Sequence, residues 1–76
     1  MISIEQLKEQ FKNGTYEESL YSSKNENGDD VAVMIGQNGF DIHTNQPNGW
    51  IRVDSYEYDS SDDTWTYTES YNGRWK

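Results

Sequence analysis

The chain has no cysteine, one proline and one histidine among its 76 residues. Without cysteine there is neither a disulfide framework nor a thiolate metal site, which fits a reducing compartment, and we expect the cytoplasm. A zinc site built on the single imidazole, His43, would need further ligands from scattered carboxylates. The sequence therefore predicts no metal and no cofactor.

Basic residues and long apolar runs are also scarce. Six lysines and arginines stand against 14 acidic residues, which makes the net charge -8. Such a protein repels nucleic acid and anionic lipid, so we expect basic or neutral protein surfaces as partners, and neither nucleic acid nor a membrane. The longest apolar run covers residues 31–35, and the first residues lack the basic start and apolar stretch of a secretory signal.

Aromatic residues are plentiful, at 14% of the chain against a hydrophobic content of 32%. Their large rings can build a core that the few aliphatic side chains would not fill. A chain of this length buries only ~60% of the surface that its unfolded form exposes, so the core is small. We expect one folded domain over residues 1–76.

Helix signals cluster near the start of the chain. Ser3 and Gln6 fit a capping box, and the Asn-Gly pair at 13–14 supplies a left-handed stop. Three apolar residues share one stripe by their spacing: Ile4, Leu7 and Phe11. The pattern predicts an amphipathic helix over residues 3–13, which is short enough to need a sheet to lie on.

Alternation of apolar and polar residues begins after the helix, and turn residues recur about every ten positions, as in an antiparallel meander. The pattern predicts strands at 15–22, 31–36, 40–44, 50–58 and 64–71. The fold class is therefore α+β, with one helix on a four- to five-stranded, mainly antiparallel sheet. Asn38-Gly39 favours a type I′ turn between the second and third strands.

The hairpin of the last two strands can pair in two registers, and charge chooses between them. If Asp59 lies opposite Thr64, Asp54 falls directly opposite Glu69, and like charges in that position are destabilising. If Tyr58 lies opposite Thr64 across a longer loop, this repulsion is avoided. We therefore predict the second register.

The predicted register assigns a face to each side chain of the hairpin. The side toward the helix would carry Ile51, Val53, Trp65, Tyr67 and Tyr71. The outward side would carry Trp50, Arg52, Asp54, Tyr56 and Tyr58. Rings on the outward side would then be available to a partner.

Catalytic arrangements are poorly represented in this sequence. His43 has neither a nucleophile elbow nor a Gly-rich oxyanion loop to act with. Two carboxylate pairs have the residue types of a glycosidase acid and nucleophile, namely Asp54 with Glu57 and Asp62 with Glu69. That chemistry needs an enclosed cleft, which one thin sheet and one helix rarely form. We predict that the protein is not an enzyme.

Two acidic loops, at residues 25–30 and 59–63, offer the oxygen ligands that calcium prefers. Neither loop keeps the EF-hand spacing with its closing glutamate. Asn, Asp, Ser and Gly also form turns for local backbone reasons, and this explanation is preferred.

The most distinctive feature is the charge between Val53 and Gly73, where six acidic residues occur and no basic one. The acidic residues are Asp54, Glu57, Asp59, Asp62, Asp63 and Glu69. Carboxylates on one face of a strand repeat about every 6.6 Å, which is comparable with the spacing of phosphates along a nucleic-acid strand. Tyr56 and Tyr58 would add contact area among them. These eight residues form the predicted partner-binding site.

The overall profile of a tiny, acidic, cysteine-free α+β protein resembles the small inhibitors that phages make against restriction or CRISPR nucleases. The resemblance is one of type, without a shared sequence motif, and it assigns no roles to residues. It implies a nucleic-acid mimic that inhibits a nucleic-acid-handling protein by occupying its basic channel.

Two alternatives remain open from the sequence. A carbohydrate- or protein-binding module could use exposed rings, with Trp50, Tyr56 and Tyr58 along one face. A bacterial or phage domain with another binding role is the second alternative. The unmatched edge strand of a meander is compatible with either a monomer or a homodimer.

Overall fold

The computed structural model describes residues 3–15 and 22–74, with the backbone alone at Ser22 and Arg74. The elements are α1 (Ile4–Asn13), β1 (Ser22–Lys24), β2 (Asp30–Ile35), β3 (Gly39–Asn45), β4 (Trp50–Asp59) and β5 (Thr64–Arg74). The strands form one sheet in the order β1-β2-β3-β4-β5, and every neighbouring pair is antiparallel. The predicted α+β class, N-terminal helix and meander are confirmed.

Both ends of α1 are closed by the residues that the sequence indicates. The Gln6 N–H donates to the Ser3 side-chain oxygen at 3.3 Å, which satisfies one of the free amides of the first turn. Gly14 adopts the left-handed conformation at φ 69°, and its N–H reaches the carbonyl oxygen of Phe11 at 3.3 Å. None of the helices within the described residues is long and apolar enough to cross a membrane.

The core lies between α1 and one face of the sheet, which we call the inner face. Its buried members are Leu7, Val31, Val33, Phe40 and Ile42, with Ile4 and Phe11 packed against them. Leu7 is 1% exposed and Phe40 is 2% exposed. The apolar stripe of the helix therefore covers β2 and β3 and, through Phe11, reaches Tyr58 of β4 and Trp65 of β5. The opposite face of the sheet, the outer face, is not covered by α1.

The first strand differs from its predicted bounds. Thr15 follows the helix without entering a strand, and residues 16–21, which held most of the predicted strand, lie outside the described residues. Lys24, expected in a loop, belongs to β1 and pairs with Asp30 of β2. β5 also runs past its predicted end, to Arg74.

The predicted type I′ turn at Asn38-Gly39 is wrong. Neither residue has a positive φ, and the Gly36 N–H donates to the Gly39 carbonyl at 2.8 Å, so the two-residue loop is Gln37-Asn38. Glycine is required at position 39 for a different reason, the close approach of two strands. A Cβ on Gly39 would lie 1.8 Å from the carbonyl oxygen of Tyr56, so the β3 and β4 backbones approach each other too closely for any other residue.

The predicted register of the last hairpin is also wrong. Asp59 lies opposite Thr64, and Asp54 lies opposite Glu69, the arrangement that like-charge repulsion was expected to prevent. The repulsion is offset because Arg52 contacts both carboxylates. A bulge occurs only at the far end of the hairpin, where the pairing shifts between Trp50 and Ile51.

In the observed register, the side chains of β4 lie on the faces opposite to those predicted from the sequence. Residues paired across strands share a face, and Tyr58 is paired with Trp65, a ring that packs against the core. Tyr56 and Tyr58 therefore lie on the inner face, together with Arg52 and Asp54. Ile51 and Val53, expected under the helix, lie on the outer face.

Candidate binding surface

The inner face carries a cluster of charged and hydroxyl groups beyond the end of the core, which we call the Arg52 cluster. Arg52 Nε lies 3.2 Å from Asp54 Oδ1, and Arg52 Nη2 is paired with Glu69 Oε1. The Tyr67 hydroxyl donates to Asp54 Oδ1 at 2.6 Å. The hydrogen bond to Tyr67, together with both carboxylates, raises the pKa of Arg52. Two of the predicted binding acids are thus paired with one cation of the molecule itself.

A third predicted acid, Asp63, is also held by the molecule itself. Its Oδ1 accepts a hydrogen bond from the Tyr58 hydroxyl at 2.6 Å and lies 3.0 Å from Lys12 Nζ at the end of α1. The hydrogen bond from Tyr58, and after it Lys12, lowers the pKa of Asp63. Asp63 has φ 55°, a left-handed conformation that Asp adopts more readily than most residues. Asp63 therefore closes the turn and joins it to the helix.

The other two acids of the turn between β4 and β5 accept hydrogen bonds from neighbouring residues. Asp59 Oδ1 accepts from the Ser61 N–H at 3.0 Å and from Ser61 Oγ at 2.6 Å, and the hydroxyl bond is the main cause of the lowered pKa of Asp59. Asp62 Oδ1 accepts from Thr64 Oγ1 at 2.6 Å. Both carboxylates stay exposed and without a cation among the described contacts, so the turn keeps two hydrated anions.

The outer face carries further acids that contact no cation among the described residues. Alternation places Asp41, Glu57 and Asp59 on this face, and we call these three residues the outer acidic strip. Asp41 is opposite Ser55, which makes Glu57 its diagonal neighbour at about 7–8 Å. Through Asn72, the outer face of β3, β4 and β5 contains neither Lys nor Arg.

A shallow groove of about 300 Å³ lies beside two members of the outer acidic strip, Asp41 and Glu57. Its lining includes Met34, Gly39, Asp41, Ser55, Glu57 and Thr66. Met34 is 58% exposed at one side of the groove. An anionic groove with one apolar wall can accept a long basic side chain, whose stem is apolar and whose head is charged.

The tyrosines of the predicted site form part of an aromatic cluster on the inner face. Tyr56 stacks on Phe40 with ring centres 5.2 Å apart, and Tyr58 lies 4.9 Å from Trp65. The rings of Phe11 in α1 and Trp65 form an edge-to-face pair with their centres 5.7 Å apart. These rings extend the core and do not form the outward platform that sugar binding by Tyr56 and Tyr58 would need.

Hydrogen bonding and burial delay the ionisation of three tyrosines. The bonds that Tyr58 and Tyr67 donate to carboxylates raise their pKa, and burial raises the pKa of Tyr56. A pKa raised by folding contributes stability that is present below the unfolded value, about 10, and is lost as the pH rises through the folded value. We therefore expect the protein to lose stability above pH ~10.

An absorbance titration of tyrosinate tests this expectation. In the folded protein, part of the signal should appear above the pH at which the urea-unfolded chain titrates, and Tyr67→Phe should remove a share of the delayed signal. Superimposable folded and unfolded titrations would contradict the hydrogen bonds to Asp54 and Asp63.

The eight predicted site residues thus fall into three groups in the structure. Asp54, Glu69 and Asp63 are paired with cations, and Tyr56 and Tyr58 belong to the aromatic cluster. Glu57, Asp59 and Asp62 remain exposed and unpaired with any cation in the described contacts. Asp41 was not among the predicted site residues, although alternation through the predicted strand 40–44 already puts it on the face opposite Phe40 and Ile42.

Comparison with models of protein families, with curated proteins and with solved structures finds no match for this chain. No group of three or more His, Cys, Asp or Glu side chains that could hold a metal ion occurs within residues 3–15 and 22–74.

Proposed function

We propose that this protein is a small non-enzymatic binding protein that attaches to a basic protein surface through the outer acidic strip and Asp62. The observation that carries the proposal is the outer face of β3 to β5, which has Asp41, Glu57 and Asp59 and neither Lys nor Arg through Asn72. A rigid face of one charge sign attracts an oppositely charged surface at long range and orients the encounter.

The finer proposal is that the partner handles nucleic acid and that the protein inhibits it by mimicking its ligand. Glu57 and Asp59 are two residues apart on one strand face, about 6.6 Å along the strand, and Asp62 continues the anions into the turn. Asp54, Asp63 and Glu69 are paired with the protein's own cations. The mimicry therefore depends on fewer free carboxylates than the sequence predicts.

Inhibition of DNA cleavage tests this proposal. We would measure binding to a panel of purified restriction and CRISPR nucleases, and the effect of the protein on their cleavage of DNA. Binding to at least one of them should weaken steeply between about 0.05 and 0.5 M NaCl, because exposed charges are screened. A short DNA duplex that the nuclease binds should displace the protein.

Two variants with the same change in charge locate the surface. Asp41→Asn, Glu57→Gln and Asp62→Asn together remove anions of the proposed surface. The control, Glu5→Gln, Glu9→Gln and Glu26→Gln, removes exposed anions from α1 and the first turn of the sheet. At about 0.5–1 kcal/mol per charge contact, the first variant should bind about 10–100-fold more weakly, and the control should bind nearly as the wild type does.

Two results would overturn the proposal in different ways. Equal weakening by both variants would show that net charge, and not the outer acidic strip, attracts the partner. Binding that persists in excess DNA would reject mimicry while leaving a basic protein partner.

A further inference from the structure

β5 is the long free edge of the sheet. Within residues 3–15 and 22–74, no segment pairs with the side of β5 that faces away from β4. β5 has 11 residues, whereas β1, at the other edge, has three. An edge of this length presents a row of unpaired N–H and C=O groups to any strand that approaches it.

β5 has few of the features by which edge strands avoid pairing: it contains no lysine, no proline and no central bulge. Its only charged residue before Arg74 is Glu69, and its bulge lies at the far end, opposite Trp50. Two of its rings, Tyr67 and Tyr71, are 49% and 51% exposed. The edge therefore combines free backbone groups with exposed aromatic area.

We propose that β5 pairs antiparallel with β5 of a second copy of this chain, so that two sheets join about a two-fold axis at Thr68. In an antiparallel pair only alternate residues direct their backbone groups toward the new partner. Residues that face each other in an antiparallel pair also have their side chains on the same face of the sheet. The two-fold axis must therefore pass through a residue that faces its own equivalent in the second copy. Near the middle of β5 this residue is Tyr67, Thr68 or Glu69.

The side chains select Thr68 among these three positions. An axis at Glu69 sets two carboxylates directly opposite each other, so that Asp54 and Glu69 of both copies, four carboxylates in all, would share two arginines. An axis at Tyr67 shortens the overlap and leaves Tyr71 beyond the end of the partner strand. An axis at Thr68 has neither disadvantage.

The axis at Thr68 gives matched pairs on both faces of the joined sheet. On the outer face, Thr68 meets Thr68 of the second copy and Thr66 meets its Ser70, and such hydroxyl pairs can hydrogen-bond. On the inner face the pairs are aromatic or polar, namely Trp65 with Tyr71 and Tyr67 with Glu69. Aromatic cross-strand pairs stabilise sheets, so the two exposed tyrosines gain partners.

The two ends of β5 differ in charge, and this difference favours a second copy over an unrelated strand. β5 begins after the turn that holds Asp59, Asp62 and Asp63, and it ends at Arg74. Antiparallel pairing brings the end of one β5 beside the acidic turn of the other, at both ends of the interface. Opposite charges then meet twice in one symmetric contact.

Single cysteine variants test the proposal directly, because the natural chain has none. Residues that face each other in a non-hydrogen-bonded antiparallel pair have Cα atoms about 4.5 Å apart, and those in a hydrogen-bonded pair about 5.5 Å, both within the range of a disulfide. Under glutathione buffer, Thr68→Cys should become a covalent dimer. Thr66→Cys and Ser70→Cys should cross-link efficiently only when they are mixed. Gln37→Cys, in an exposed turn of another edge of the molecule, is the control.

Sedimentation equilibrium of the wild-type protein provides the second readout, with a monomer–dimer equilibrium expected in about 0.15 M NaCl. Thr68→Lys should weaken the dimer about fivefold or more by placing two lysines opposite each other, and Ser70→Lys should weaken it less. Circular dichroism confirms that each variant is folded. A wild-type protein that stays monomeric to millimolar concentration, or a Thr68→Cys variant that cross-links no faster than Gln37→Cys, would overturn the proposal. Cross-linking through Glu69→Cys instead would overturn the register.

Discussion

Replacing Gly39 by alanine is expected to destabilise the protein by about 2–3 kcal/mol or more. Alanine adds a Cβ that would lie 1.8 Å from the Tyr56 carbonyl oxygen and 3.0 Å from the Glu57 Cα. Both atoms belong to backbone, so no side-chain rotation relieves the clash, and β3 and β4 must separate locally. Overpacking of this kind typically costs 1–3 kcal/mol, and more when backbone has to move.

Gly36→Ala is the matched control for this prediction. A Cβ on Gly36 would lie 3.7 Å from the Gly39 carbonyl oxygen, an ordinary van der Waals contact, and Gly36 has no positive φ. Urea denaturation of both variants should therefore show a large loss for Gly39→Ala and a change within about 0.5 kcal/mol for Gly36→Ala. Equal stability of the two variants would show that β3 and β4 do not approach each other at this point.

The loss expected for Gly39→Ala is large relative to the stability of a domain of this size. Typical values of 0.05–0.15 kcal/mol per residue correspond to roughly 4–11 kcal/mol for this chain. Gly39→Ala would remove a substantial fraction of that total. It would also disturb the groove beside Asp41 and Glu57, so binding studies should use variants that leave Gly39 unchanged.

Local patterns in the sequence were sufficient to predict the helix and most strands. The Ser3 cap and the Asn-Gly pair at 13–14 act on neighbouring backbone, and their effect depends little on the rest of the fold. The apolar segment 31–35 likewise lies in β2. The predicted bounds fail near Lys24 and Arg74, where pairing with another strand decides whether a residue is extended.

The Asn38-Gly39 turn shows how a local preference can be overridden. Asn-Gly is the strongest short signal for a type I′ hairpin, and it concerns the φ values of two consecutive residues. Gly39 is required instead by the distant backbone of Tyr56, a contact that no local pattern reports. The loop accordingly forms one residue earlier, at Gln37-Asn38.

The register of the last hairpin could not be predicted from pairwise charge alone. Repulsion between Asp54 and Glu69 disfavours this register only if Arg52 is ignored, and Arg52 lies two residues before Asp54 and so on the same face. Including this third group reverses the preference. The error also moved Tyr56 and Tyr58 to the wrong face, because a shift of one residue exchanges the two faces of a strand.

Arg52 is consequently the charged residue whose removal should cost most. Arg52→Met is expected to destabilise the protein by about 1–2 kcal/mol, because Asp54 and Glu69 would then face each other without a cation. The Asp54 side chain is only 16% exposed, which limits screening by water, whereas Arg52 and Glu69 are 36% and 41% exposed. The loss therefore lies between that of an exposed ion pair and that of a fully buried one.

Arg52→Met loses stability either because the two carboxylates repel each other or because the packing of the arginine side chain is lost. Further variants at the same site distinguish these two causes. If repulsion dominates, adding Glu69→Gln to Arg52→Met should restore a measurable part of the stability, so the two changes would be strongly non-additive in a double-mutant cycle. Arg52→Lys keeps the positive charge but loses the bidentate reach, and its stability should fall between those of the wild type and Arg52→Met.

Lys24→Met is the control for the general effect of removing one positive charge from an acidic protein. It removes the 2.7 Å ion pair with Asp30, whose side chains are 66% and 71% exposed, and it changes the net charge by the same amount as Arg52→Met. Exposed pairs of this kind contribute at most about 1 kcal/mol and often less. If urea denaturation gave equal losses for Lys24→Met and Arg52→Met, long-range repulsion in an acidic chain would account for both. The Arg52 cluster would then not explain why the last hairpin adopts the register with Asp54 opposite Glu69.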